Sequence, residues 1–185
     1  MRSFLDEIVN SIHSEQESFE AVVFVLPSKR AGTFLRNSIA NITDRTIFSP
    51  EIYSIEEFFG NISGLSTATH TQQLFELYYA YLDQAKDEKE NYLDFSKWGQ
   101  TLLQDINEID RYLIDTAKLF SNLSAIQEIS HWYLAAEKTK MVEDYIKFWN
   151  NLEELYTTFN QKLLKQGIGH QGLVYRKAYE NLESY

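Results

Sequence analysis

The stretch AVVFVLPSKRAGTFLRNSIA, residues 21–40, decides how this chain folds. It opens with an apolar, β-branched run from Val22 to Leu26, which is typical of a buried strand. Pro27 interrupts the run, and the polar and basic residues 28–30 follow it. Apolar side chains then recur at helical spacing, at Ala31, Phe34, Leu35 and Ile39. The pattern predicts a strand, a basic loop and a helix, with positive charge at the start of the helix.

The neighbouring segments extend this stretch into a small α/β region. Residues 2–13 carry apolar side chains three and four positions apart, which predicts an amphipathic helix. Residues 46–53 predict a second short strand, parallel to the first because a helix separates the two. Ser54 and Glu57 have the spacing of a capping box, so a short helix is predicted over 55–61.

Beyond Thr69 the sequence predicts only helices. Thr69 and Gln72 form a second capping box, and apolar stripes at helical spacing follow it. The stripe from Met141 to Phe159 belongs to a helix that ends before Gly167. A last helix starts near Leu173, and we expect its abrupt end to mean that the polypeptide continues. The fold class is therefore α/β and mostly helical, with two short parallel strands.

Composition indicates a globular protein of a reducing compartment. Apolar residues make up 44% of the 185 residues, and cysteine is absent, so neither a disulfide nor a thiolate site can form. Asp6 and Glu7 stand where a secretory signal would be apolar. No apolar run reaches the roughly 20 residues of a membrane span. We therefore expect a cytoplasmic protein.

Charge is distributed unevenly along the chain. The formal net charge is −10, which disfavours a chain that wraps nucleic acid with its whole surface. Residues 28–45 nevertheless carry four basic residues and one acidic residue, a net +3, and the remainder carries −13. Charge alone favours a solvated basic face for residues 28–45, and a binding role is the alternative.

No catalytic set can be identified in the sequence. A Gly-rich phosphate loop that ends in Lys and Ser or Thr is absent, so we expect no ATP hydrolysis. Glu51 and the segment 87–89 only loosely match the carboxylates of metal-dependent nucleases. Glu128 and His131 form one Glu-x-x-His motif, whereas di-iron bundles need two. His170 is isolated in the sequence. We therefore expect no enzyme activity, cofactor or metal.

Two groups of residues have both a structural and a binding interpretation. Asp105, Glu108 and Asp110 lie on one predicted helix, where a solvated face is favoured and a partner's basic surface is the alternative. The 12 Tyr, 12 Phe and 3 Trp residues could stack on the bases of single-stranded nucleic acid. Most of them fall on apolar stripes, so core packing is favoured.

Four segments give the chain a resemblance to a known family. They are VFVLPSKRAGTFLRNSIA at 23–40, FSPEIYSIEEFF at 48–59, FSKWGQTLLQDINEIDRYLID at 95–115 and WNNLEELYTTFNQKLLKQGIGHQGLVYR at 149–176. In these segments the chain resembles the N-terminal region of a Bacteroidetes family of inactivated superfamily I helicases. That family is similar to the AddB subunit of bacterial helicase–nuclease complexes and continues into a downstream PD-(D/E)XK nuclease domain.

The resemblance implies a division of the chain into three parts. Residues 1–66 would be a partial RecA-like, helicase 1A-like region that lacks Walker A. Residues 67–165 would be an all-α subdomain of the helicase 1B type, and residues 166–185 would start a further helix.

The resemblance also implies DNA contacts. Pro27–Ala31 resembles the motif Ia loop, which in active helicases touches the phosphates of the translocating single strand. Ser28, Lys29 and Arg30 are therefore candidate DNA contacts, and Arg36 on the same predicted helix is a fourth.

The expected function is that of a non-catalytic helicase-like module in a DNA double-strand-break repair protein of the AddAB type. The module would scaffold an AddA-like helicase subunit and guide single-stranded DNA. The alternative is a protein–protein interaction module that uses the acidic helical half and binds no DNA. Neither a small-molecule substrate nor a membrane partner is expected.

Overall fold

In a computed structural model the chain is mostly helical and contains two pairs of short parallel strands. The structure describes residues 3–15, 18–43, 46–84, 89–123 and 140–184, and for 140–150 only the backbone. The chain packs as two compact units, Met1–Asn61 and Ile62–Tyr185. Within the described ranges, every helix is too short or too polar to cross a bilayer. The domain boundaries after residues 66 and 165 remain predictions.

The first unit is built around a parallel strand pair. Strands β1 (Val23–Leu26) and β2 (Glu51–Ser54) pair residue for residue along their whole length. Helix α1 (Phe4–Glu15) precedes β1, α2 (Lys29–Ile42) connects the strands, and α3 (Ile55–Ser63) begins directly after β2. The predicted parallel pair and the helix between its strands are confirmed.

Strand β2 begins later than the sequence pattern predicts. Residues 46–50 have no regular structure, and pairing starts only at Glu51. Pro50 has no N–H to donate to a strand ladder, which explains why the ladder starts after it. The predicted capping box is confirmed, because Ser54 donates to Glu57 Oε2 at 3.0 Å and the Glu57 N–H donates to Ser54 Oγ at 3.2 Å.

The core of the first unit excludes several residues that the sequence patterns assigned to it. In β1, predicted as a buried strand, Val23 and Val25 are 51% and 41% exposed, because alternate residues of a strand face opposite sides and the side that carries Phe24 faces the core. Phe4, on the predicted apolar stripe of residues 2–13, is 74% exposed.

The buried residues of this core are Val9, Phe19, Phe24, Leu35 and Ile39. Phe34, in contrast, is 59% exposed, so its assignment to the apolar stripe of α2 is wrong. Successive helical residues point about 100° apart, and Leu35 and Ile39 face the core, so Phe34 turns outward.

The second unit is a helical assembly with a minimal strand pair. Its helices are α4 (His70–Gln84), α5 (Tyr92–Arg111), α6 (Lys140–Lys165) and α7 (Gln171–Asn181), and residues 116–123 are also helical. The buried core consists of Leu74, Leu77, Ala80, Phe95, Leu103, Ile106, Leu155, Phe159, Leu163 and Leu173. These residues come from α4, α5, α6 and α7, so one core joins the four helices.

The strand pair of this unit was not predicted. Strand β3 (Ser66–Thr67) pairs in parallel with β4 (Ile168–Gly169), although only helices were expected beyond Thr69. Two residues on each side are too few to produce an alternating pattern in the sequence. Gly167, at φ +68°, ends α6 as predicted and directs the chain into β4.

Candidate nucleic-acid interface

The candidate interface is the start of α2, where three of the predicted contact residues, at positions 28–30, lie just after β1. Ser28 is the N-cap of α2: its backbone is extended, and its Oγ accepts the Ala31 N–H at 3.4 Å. The Lys29 and Arg30 amides fall within the first turn of α2, where an N–H has no intrahelical acceptor. The helix therefore presents backbone donors and two basic side chains at the same end.

Lys29 is held by a carboxylate across this end of the first unit. Its Nζ lies 2.6 Å from Glu57 Oε1, while Glu57 Oε2 accepts both hydrogen bonds of the Ser54 capping box. The Lys29 hydrogen bond and those from Ser54 lower the pKa of Glu57 to about 2. The same hydrogen bond raises the pKa of Lys29. Because the pair stays ionised at neutral pH, Lys29 presents little net charge to an external anion.

Arg30 and Arg36 differ from Lys29 because the described part of the chain offers them no ion pair. Both side chains are exposed on α2. Helix α2 contains no Asp or Glu, so nothing on the helix itself neutralises them. These two guanidinium groups are the available cations of the predicted contact set.

A small cleft brings three of the four predicted residues together. It measures about 160 Å³. Its lining residues are Ser28, Lys29, Gly32, Arg36, Ile52, Tyr53, Ser54 and Glu57. Arg30 is outside this lining. The cleft therefore offers the Arg36 guanidinium and the Ser28 hydroxyl to an anion, because the Ser54 and Tyr53 hydroxyls already donate to carboxylates. Glu57 opposes an anion placed beside Lys29.

A second polar cluster, which the sequence patterns missed, lies in the core of the second unit. Asp110 is fully buried, so its assignment to a solvated face of α5 is wrong. Its carboxylate accepts hydrogen bonds from the Tyr156 hydroxyl, from Asn160 Nδ2 at 3.1 Å and from Arg176 Nε at 2.7 Å. These partners come from α6 and α7, so one side chain of α5 connects three helices.

His170 completes this cluster. It is the N-cap of α7, where its Nδ1 accepts the Leu173 N–H at 3.2 Å. Nδ1 also lies 3.2 Å from Asn107 Oδ1, an oxygen that accepts the Gly172 N–H. Nε2 faces Asp110 Oδ2 at 3.2 Å and Asn160 Oδ1 at 3.2 Å. The sequence places His170 sixty positions from Asp110, and no spacing rule connects residues so far apart.

The Asp110 cluster is suited to holding helices together rather than to reacting with a substrate. Burial would raise the pKa of Asp110, but hydrogen bonds from His170 and Tyr156 and the charge of Arg176 keep it below its usual range. Burial and the bond to Asp110 raise the pKa of Tyr156. The hydrogen-bonding atoms of the cluster are directed at one another, and both Asp110 and His170 are closed to solvent.

The remaining predicted motifs bring no further site together. Glu51 is exposed and accepts a hydrogen bond from the Tyr53 hydroxyl at 3.1 Å. Residues 87 and 88, and the pair Glu128 and His131, lie outside the described residues. In the described ranges, no three His, Asp or Glu side chains are grouped as metal ligands would be.

Comparisons with known proteins add no family assignment. No family model, no curated protein and no solved structure matches this chain.

Proposed function

We propose that this chain is a non-catalytic, helicase-like module that binds single-stranded DNA at the start of α2. In this proposal the β1–α2–β2 region belongs to a partial RecA-like fold. The module serves double-strand-break repair and scaffolds a helicase subunit of the AddA type. It hydrolyses neither ATP nor DNA, because its sequence contains no phosphate loop and no nuclease set of carboxylates.

The observation that carries the proposal is the pair of exposed arginines without ion-pair partners among the described residues. Arg30 and Arg36 lie on the acid-free helix α2, in a chain of formal net charge −10. Arginine binds phosphate through a planar fork of N–H donors. Lys29 contributes less in this proposal, because Glu57 already neutralises it.

The proposal is tested by the anisotropy of a labelled oligo-dT strand as the chain is added at increasing salt. We expect binding at low salt, with the logarithm of the affinity falling linearly with the logarithm of the salt concentration. Each phosphate contact contributes about −0.7 to that slope for a single strand. If the chain fails to bind at low salt, the DNA assignment is wrong.

A second candidate function, protein–protein interaction without DNA, is favoured by the apolar end of α5. Tyr112 is 68% exposed, Leu113 40% and Ile114 37%. Leu113 has φ 54°, a conformation that costs a bulky residue energy and in which glycine is preferred. An AddA-type subunit that binds the wild-type chain but not Tyr112→Ser would support this candidate. Tyr179→Ser is the matched control, since Tyr179 is 63% exposed in the same unit.

A further inference from the structure

The outer face of α2 combines an exposed aromatic ring with unneutralised positive charge. We define the outer face as the side of α2 turned away from the core of the first unit. Its residues are Arg30, Thr33, Phe34, Asn37 and Asn41, all of them exposed. Phe34 follows Arg30 by four positions, which makes the two side chains neighbours on the helix surface.

We propose that Phe34 is a base-stacking residue and that Arg30 contacts a phosphate of the same single strand. This inference rests on the proposed DNA-binding function and assigns a second kind of contact to it. Aromatic rings bind single strands by stacking on any base, while neighbouring cations hold the backbone. The outer face supplies both, and Asn37 adds an amide that can donate and accept hydrogen bonds.

Charge complementarity favours a polyanion over an apolar partner for this ring. Helix α2 contains no Asp or Glu, whereas α1 and α3 to α7 each contain at least one. Among the side chains that the structure describes, the other strongly exposed aromatic rings within helices lie on helices that carry acids. Phe4, for example, is 74% exposed on α1, which has Asp6 and Glu7 in its first turn. A phosphate backbone is therefore attracted to the basic surface around Phe34 and repelled by the acidic first turn of α1 beside Phe4.

The structure also explains why Phe34 is unlike the aromatic residues that build the core. Phe24 and Phe95 are only 8% and 0% exposed, whereas Phe34 is 59% exposed. An exposed phenyl ring gains little from folding, because it stays in contact with water. Its removal is therefore expected to leave the fold intact and to affect binding alone.

The test compares two labelled strands of equal length, oligo-dT and an abasic strand with the same phosphates but no bases. We expect Phe34→Ala to weaken oligo-dT binding about tenfold, which lies within the range of one lost stacking contact. Binding to the abasic strand should stay unchanged. Arg30→Ala should weaken both strands, since both carry phosphates. Phe34→Trp should retain oligo-dT binding, and Phe4→Ala should bind like the wild type.

The outcomes separate this inference from the proposed function. If the wild-type chain binds oligo-dT, and Phe34→Ala binds both strands as tightly, the stacking role is wrong while DNA binding stands. An equal loss on both strands also contradicts stacking, because the abasic strand offers no base. If the wild-type chain binds neither strand, the proposed function fails, and this inference fails with it. Circular dichroism of each variant shows whether its helices are intact.

Discussion

Glu57 determines how much positive charge the candidate interface presents to an anion. One oxygen of its carboxylate accepts from the Ser54 capping box, and the other lies 2.6 Å from Lys29 Nζ. The same side chain therefore starts α3 and neutralises a cation at the start of α2. Its pKa of about 2 means that it is ionised at any physiological pH. At residue scale, the strength of an anion site here depends on a local acid as much as on the basic residues.

Replacing Glu57 with glutamine should tighten single-strand binding. Glutamine can take the place of glutamate in a capping box, so α3 keeps its cap while Lys29 loses its counter-charge. In salt titrations of oligo-dT binding, we expect the slope of Glu57→Gln to steepen by about 0.7, the value of one added phosphate contact. Glu56→Gln removes the same charge one position away and should change the slope less. Weaker binding by Glu57→Gln would contradict this role.

Asp110 should be the most sensitive of the acidic positions in α5. Asp110→Asn removes the charge opposite Arg176, so we expect it to lower the free energy of unfolding by about 3–5 kcal/mol. Asp105→Asn is the matched control on the same helix. Burial and nearby Glu108 raise the pKa of Asp105, so its charge is unfavourable in the fold, and we expect a change within about 0.5 kcal/mol.

Urea unfolding of the two variants measures this difference. Equal stability of Asp110→Asn and Asp105→Asn would show that the buried cluster contributes nothing specific to the fold.

At the scale of elements, the ends of helices determine much of the local structure. The two capping boxes, at Ser54 and Thr69, form as their sequences predict. The C-terminus of α5 is less regular. The Ile114 N–H donates to Ile109 O at 3.0 Å and the Leu113 N–H to Asp110 O at 3.1 Å, the two bonds of a Schellman motif. Leu113 occupies the position where that motif favours glycine.

Leu113→Gly should be more stable than Leu113→Ala. Both variants remove the apolar side chain, and only alanine pays the energetic cost of the left-handed conformation, about 1 kcal/mol. At exposed Glu154 within α6 the order should reverse, with alanine favoured over glycine by about 1 kcal/mol. Thermal or urea unfolding of the four variants measures both differences. An alanine variant that equals the glycine variant at 113 would mean that this turn changes its backbone on substitution.

At the scale of the whole molecule, the sequence predicts structural features that depend on neighbouring residues and misses contacts between residues that are distant in the chain. The caps and the end of α6 follow from patterns within a few positions, and the parallel pair β1 and β2 follows from the order of strand, helix and strand along the chain. The link between Asp110 and His170 joins positions sixty apart, and nothing local signals it. Gly172 also depends on a distant residue. A Cβ there would lie 2.1 Å from the carbonyl oxygen of Asn107, so the close approach of these two backbones needs glycine.

Some features of the candidate interface can likewise be predicted from the local sequence, and others cannot. The order of strand, basic turn and helix could be read from residues 21–40 alone. The Lys29–Glu57 pair could not, because it joins two elements through their three-dimensional packing. The apolar pattern of α2 wrongly includes Phe34, because spacing alone does not determine whether a residue at the margin of an apolar stripe faces the core. The packing of α2 determines it.

The most direct test of the account is the salt dependence of oligo-dT binding by Arg30→Ala/Arg36→Ala. Its matched control is Arg111→Ala/Lys165→Ala, which removes two other exposed cations without ion pairs among the described residues. We expect the first variant to bind more weakly and its slope to fall in magnitude by about 1.4, the value of two phosphate contacts. The control should keep the wild-type slope. Equal slopes for the two double variants would contradict the assignment of DNA binding to α2.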